Sequence, residues 1–134
     1  MNHSGQVSFP GGSWDVEDES LIATALREAW EEVGLRPEEV RVLGNMSAIG
    51  ISTRFLVTPV VGIIPWPYPL RLQETEVARA FIVPLSWLAD PANFYTSTRI
   101  YEGKTYEIIY YQLYDGEKIW GATARITQEL LKLL

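Results

Sequence analysis

The sequence predicts an α+β fold, a mixed sheet with helices packed on it. Three observations point there. One amphipathic helical stretch comes early, several β-type apolar runs fill the middle, and a second helical stretch closes the chain, without the regular alternation of βαβ units. The 134 residues are 47% hydrophobic and 21% charged, the size and composition of one globular domain spanning 1–134 that can bury a core without staples. There are no cysteines, which excludes disulfides and thiolate metal sites and leaves a cytoplasmic location as the default expectation.

Taken in order, "GQVSFPGG" offers a short apolar run, Val7 to Phe9, closed by Pro10-Gly11-Gly12. "GGSWDVEDES" is a loop of turn formers and acids. A helix is expected over 19–33, started by Asp18 or Ser20 as cap, with Ile22, Leu26, Ala29 and Val33 as its apolar stripe. Gly34 suits the stop, and Pro37 lies just beyond. "VRVLG" and "SAIGI" read as strand pieces. "RFLVTPVVGII" reads as a buried strand with Pro59 at a bulge or an edge. "PWPYP" is stiff and extended. "ETEVARAFIVPL" leads into another strand ended by Pro84, and "PLSWLADPAN" gives a short helical turn. "RIYEGKTYEIIYYQLYDGEKIWG" reads as strands joined at Glu102-Gly103 and Asp115-Gly116. "GATARITQELLKLL" closes as a helix with Ile126, Leu130 and Leu134 on one stripe.

The most apolar stretch, "FLVTPVVGIIPWPYPL", is about 16 residues with four prolines, short of the roughly 20 a membrane helix needs. Met1 to Gly5 carries no basic leader pattern. The net charge of -6 argues against nonspecific nucleic-acid or anionic-membrane partners. A negative substrate would therefore need a metal or a local basic patch.

"REAWEEVGL" carries the chemistry. Glu28, Glu31 and Glu32 crowd the last turns of the helix. Like charges at this spacing repel by roughly 0.2–0.5 kcal/mol per pair, and acids at a helix C-terminus oppose its dipole. Either this is a solvated acidic face braced by Arg27, or the carboxylates ligate a hard cation. Mg²⁺ takes one or two carboxylates plus substrate phosphates and keeps several waters. The glycines of "FPGG" just upstream let backbone approach such a site closely, which favours the second reading.

These residues resemble the Nudix hydrolases, whose box reads G-x5-E-x7-R-E-U-x-E-E-x-G-U, with U a bulky apolar residue. Glu19, seven residues and "REAWEEVGL" match from the first glutamate onward, with Ala29 small at a U position. Five residues back from Glu19 stands Ser13; the regular spacing from Gly12 reaches Asp18. The loop thus holds one extra residue, and either Asp18 or Glu19 is the first acid. The coenzyme A diphosphatase branch is similar over nearly the whole chain: His3, Gly5, Gln6, Val7, Phe9–Gly12, Asp15, Asp18 and Thr24–Glu28 follow its upstream pattern, and "EVARAFIVPLSWLADPAN" and "IWGATARI" follow its far end. That branch carries a strand and an "L-L-T-x-R-S"-like segment ahead of this pattern, so the domain is expected to be N-terminally short.

The resemblance implies a Nudix fold, an α/β/α sandwich around a mixed β-sheet. It also implies Mg²⁺- or Mn²⁺-dependent hydrolysis of a diphosphate linkage. Glu28 and Glu32 would ligate metal, and Glu31 would lie close to metal or water. A backbone carbonyl near Gly12 or Ser13 would add a ligand. Arg27 would orient a glutamate, Asp18 or Glu19 would hold loop to helix, and Glu76 is the candidate base. The implied substrate is coenzyme A or another nucleoside diphosphate derivative such as ADP-ribose. The alternative is a catalytically silent Nudix-like module. Gly11 and Gly12 would meet the phosphates. Arg54, Arg71 and Arg99 are possible phosphate partners, with Arg54 named as the candidate and no feature of the sequence deciding among them. Trp66, Tyr68, Tyr95 and Trp120 are available to stack on adenine, with Trp120 named as the candidate, although most aromatics are expected in core or strand packing. A homodimer is compatible with this reading.

Overall fold

A computed structural model describes residues 6–14, 17–51 and 56–134. His3, Asp15 and Arg54 lie outside the described residues. The chain divides into two compact units, residues 10–81 and residues 6–9 with 82–134.

In the first unit, α1 spans Leu21–Val33. Ser20, not Asp18, caps it: extended at φ -162°, its hydroxyl accepts the Ala23 N–H at 3.1 Å. The helix therefore starts two residues later than the sequence predicts. Gly34 ends it at φ 75°, and its N–H reaches the Trp30 carbonyl at 3.0 Å. A side chain is strained in that conformation, and a Cβ there would also stand 3.0 Å from the Arg71 backbone nitrogen. Val33 is buried, while Ile22, Leu26 and Ala29 are half-buried. Thr24 is buried beside them, a polar position the apolar stripe did not disclose.

The strands of this unit form two short antiparallel ladders. β1 (Arg41–Asn45) pairs with β4 (Val60–Ile63), with an irregular register between Val42 and Gly44. β2 (Ile49–Gly50) pairs with β3 (Leu56–Val57). Pro59 falls between β3 and β4, so the single buried strand expected around it is divided; a proline cannot donate to a ladder. Its carbonyl instead accepts the Met46 N–H at 2.8 Å. The strand expected in "ETEVARAFIVPL" does not form. Residues 74–76 make a turn, with the Glu76 and Val77 N–H groups both on the Gln73 carbonyl at 2.9 and 2.7 Å. Residues 78–83 pair with no strand among the described residues. Apolar β-formers are not a strand without a neighbouring edge.

In the second unit, residues 6–9 are irregular, and the Thr123 hydroxyl holds Val7 through its carbonyl at 2.8 Å. α2 (Leu85–Ala89) leads by a short 3₁₀ turn into β5 (Phe94–Tyr101) and β6 (Lys104–Tyr111), an antiparallel hairpin in unbroken register from Phe94–Tyr111 to Tyr101–Lys104. Glu102 and Gly103 sit at φ 50° and 77°, so the turn is the one their dipeptide signals. Asp115 and Gly116, at φ 52° and 78°, make a second tight turn, closed by an isolated bridge between Tyr114 and Glu117 rather than by full strands. α3 covers Gly121–Leu131, shorter than expected, which leaves Leu134 exposed.

The α+β class is as expected. Strand pairing among the described residues is antiparallel throughout, in three two-stranded ladders rather than one mixed sheet. Among the described residues no helix is long and apolar enough to cross a membrane.

Tyr111 anchors the second unit. It is 2% exposed, lies against the rings of Trp87 and Phe94 at 5.8 and 5.3 Å, and donates its hydroxyl to the Leu88 carbonyl at 2.7 Å. The Gln128 side-chain amide donates to the same oxygen. Tyr111→Phe leaves both partners unsatisfied in a buried place and is expected to cost about 1–3 kcal/mol. Urea unfolding of the two proteins checks this as a lower midpoint at unchanged slope.

Candidate active site

Helix α1 places Glu28 and Glu32 one turn apart on the same face. The glycine loop closes over them. The Gly11 N–H points at Glu32 Oε2 at 3.4 Å. A Cβ on Gly12 would stand 2.5 Å from the Glu28 carboxyl carbon, so glycine leaves the Glu28 carboxylate where it is.

Arg27 is the organiser. Its Nε and Nη2 grip Asp18 Oδ1 and Oδ2 at 3.0 and 3.1 Å, a bidentate pair that fixes the guanidinium plane. Nη1 then reaches Glu28 Oε1 at 3.1 Å and Glu31 Oε1 at 3.4 Å, and Nη2 reaches the Ser13 carbonyl at 3.2 Å. Hydrogen bonding to Asp18, then its charge with those of Glu28 and Glu31, holds Arg27 more firmly protonated than usual. The Asp18 side chain is only 7% exposed. It also accepts the Thr24 hydroxyl at 2.9 Å, which accounts for the buried threonine. The structure thus puts Asp18, and not the exposed Glu19, on the arginine. One residue of loop length decides between them, and spacing alone left both open.

The Glu32 carboxyl is pushed up to about 7, first by burial and then by Glu28 beside it; the Gly11 amide pulls the other way. Among the described residues, no group of three or more acidic, histidine or cysteine side chains converges into a ready-made cage. Glu28 and Glu32 are brought together, whereas Glu31 is half-exposed and turned to Arg27. Two hard carboxylates beside a glycine loop suit Mg²⁺ or Mn²⁺, which would complete their shells with water and substrate oxygens.

The remaining candidates are spread out. The Ser13 carbonyl, expected near a metal, is taken by Arg27. Glu76 is exposed in the turn that starts at Gln73, and the Gln73 N–H is bonded to the Glu32 carbonyl at 2.9 Å. That link between the 71–73 segment and the acidic helix had no signal in the sequence. Trp120 belongs to the second unit, where it stacks on Tyr110 at 5.8 Å with planes 4° apart.

The profile of the Nudix domain matches residues 1–103. The chain belongs to the Nudix hydrolase family. A protein of Photorhabdus laumondii named "Uncharacterized Nudix hydrolase NudL" is 41% identical over 129 residues, covering 96% of this chain and 68% of its own length. One of the same name from Salmonella paratyphi B is 42% identical over 128 residues, covering 96% and 66%. The chain thus spans about two thirds of these relatives. Nudix hydrolases act on pyrophosphate bonds and generally use divalent metals.

A divalent ion ligated by Glu32 would have to displace the proton on that carboxyl, whose pKa is raised to about 7. Affinity for Mn²⁺ is therefore expected to rise by up to about tenfold per pH unit from 5 to 7 and to level off above. Stability of the metal-free Nudix chain moves the other way. The unfolded carboxyl ionises near 4.5 and the folded one near 7, so stability falls as pH rises through that window. Calorimetric titration with Mn²⁺ and thermal unfolding across this range check both signs.

Proposed function

We propose that this chain hydrolyses the diphosphate linkage of coenzyme A or its acyl derivatives, giving 3′,5′-ADP and 4′-phosphopantetheine or its acyl form. The observation that carries the proposal is the Glu28–Glu32 pair closed in by Gly11 and Gly12 and braced through Arg27 to Asp18. The choice of coenzyme A rests on "GQVSFPGG" and "IWGATARI", the stretches outside the box that resemble that branch.

Glu28 and Glu32 would hold Mg²⁺ or Mn²⁺, with Glu31 beside them. Bound there, the ion would supply charge neutralisation of the diphosphate and a more acidic water. The protein's own part is positional. Arg27 fixes Glu28 and Glu31 in place and keeps either from swinging into solvent. The Gly11 N–H holds Glu32, the bare backbone of Gly11 leaves room for phosphate oxygens, and that of Gly12 leaves room for the Glu28 carboxylate beside them. Glu76 is the proposed base, carried on the turn that hangs from the Glu32 carbonyl through Gln73. Arg54 and Trp120 are proposed for the 3′-phosphate and the adenine.

The test is a substrate panel of coenzyme A, acetyl-coenzyme A and ADP-ribose, each with Mg²⁺ or Mn²⁺, with products separated by chromatography. Turnover of coenzyme A to the two named products supports the proposal. Turnover of ADP-ribose alone moves the site to another nucleoside diphosphate derivative. A folded protein that turns over nothing with either metal points to a silent module.

A further inference from the structure

The first unit holds a cavity of about 520 Å³ that the reaction above does not use. Trp30 forms one wall, and Trp30 is two residues from both Glu28 and Glu32. At about 100° per residue it stands on the opposite face of α1 from the carboxylate pair. The other walls are Tyr68, Arg36, Glu39, Arg71 and three prolines of "PWPYP".

The polar groups of this cavity are unevenly matched. The Tyr68 hydroxyl donates to Glu39 Oε1 at 2.9 Å and accepts the Arg36 backbone N–H at 3.1 Å. The Arg36 side chain lies 3.8 Å from the same Glu39 oxygen. Glu39 thus has both a hydroxyl and a guanidinium beside it. Arg71 holds its guanidinium over the Trp30 ring, 5.0 Å from the centroid, and has no carboxylate partner among the described residues. It is an exposed residue that lines the cavity. Its backbone is fixed: the Arg71 N–H bonds the Val33 carbonyl at 2.9 Å, and Gly34 packs directly against it. The prolines add walls with little side-chain freedom to lose.

We propose that this cavity binds a planar organic anion of about mononucleotide size. Its anionic group takes the Arg71 guanidinium and its ring lies along Trp30 and Tyr68. The volume falls within the roughly 300–1,000 Å³ of small-molecule sites. A guanidinium over an indole, on a held backbone, offers both a flat stacking surface and a fork for phosphate or carboxylate oxygens.

The test is a titration of the whole ¹⁵N-labelled chain with adenosine 5′-monophosphate in EDTA, which leaves the carboxylate site without metal. The indole N–H of Trp30 is assigned by its loss in Trp30→Phe. It is expected to shift saturably at millimolar nucleotide. Arg71→Met should weaken that binding about tenfold, Arg71→Lys less, and inorganic phosphate should shift the signal less than the nucleotide. An unmoved Trp30 signal overturns the proposal. So does binding unaltered in both Arg71 variants, or phosphate acting as strongly as the nucleotide. Arg71→Lys keeps the test usable if Arg71→Met does not fold.

Discussion

Glu32→Gln is expected to lower turnover by at least about a hundredfold while leaving the folded protein as stable as before, or more so. The two effects have one cause. Glu32 is held half-buried beside Glu28, and that surrounding disfavours its charge enough to push the carboxyl up to about 7. Glutamine keeps the shape and the Gly11 contact through its carbonyl oxygen but removes the charge that a divalent ion requires. It therefore relieves repulsion in the metal-free protein and removes a ligand from the loaded one. Thermal unfolding at pH 8 with EDTA, together with steady-state kinetics in Mg²⁺ and Mn²⁺, checks both sides. The pH dependence of Mn²⁺ affinity should flatten in the same variant. A variant that loses stability along with activity would mean that Glu32 is a packing residue.

Gly12→Ala is expected to cut kcat/KM by about ten- to a hundredfold with a stability change within about 0.5 kcal/mol. The added Cβ would lie 2.5 Å from both the Cδ and the Oε1 of Glu28. Those atoms are the free end of a flexible side chain, so the helix and loop can stay and the carboxylate moves. A shift of about 1 Å in a positioned group is enough for a loss of this size. Gly12 needs no left-handed backbone, so strain does not add to the effect. Gly11→Ala is the comparison: nothing lies within 4 Å of a Cβ there, and its loss should be far smaller. Equal losses at the two glycines would show that loop flexibility, and not the fit against Glu28, is what activity depends on.

The acidic helix was legible because everything that defines it is local. Caps, periodicity and the i,i+4 pairing of Glu28 and Glu32 are properties of one continuous stretch. The two tight turns were legible for the same reason: Glu102-Gly103 and Asp115-Gly116 carry their backbone conformation in their own residue types. The strand expected after Glu74 failed because a strand is made by its neighbour. Residues 78–83 have β-forming side chains and no paired edge among the described residues.

Sequence alone determined the family, the α+β class and the pair of glutamates, since these rest on residue identity at fixed spacing along one element. Tertiary structure decided three further things. It chose Asp18 over Glu19 for Arg27, turned Glu31 away toward that arginine, and hung the 71–73 segment from the end of α1. Each depends on where a loop places its atoms relative to a helix, and a one-residue change in loop length exchanges the partners. The Trp30–Arg71 cavity is of the same kind. Its walls come from two separate stretches, 30–39 and 65–71, and only folding brings a cation, an indole and a row of prolines around one space.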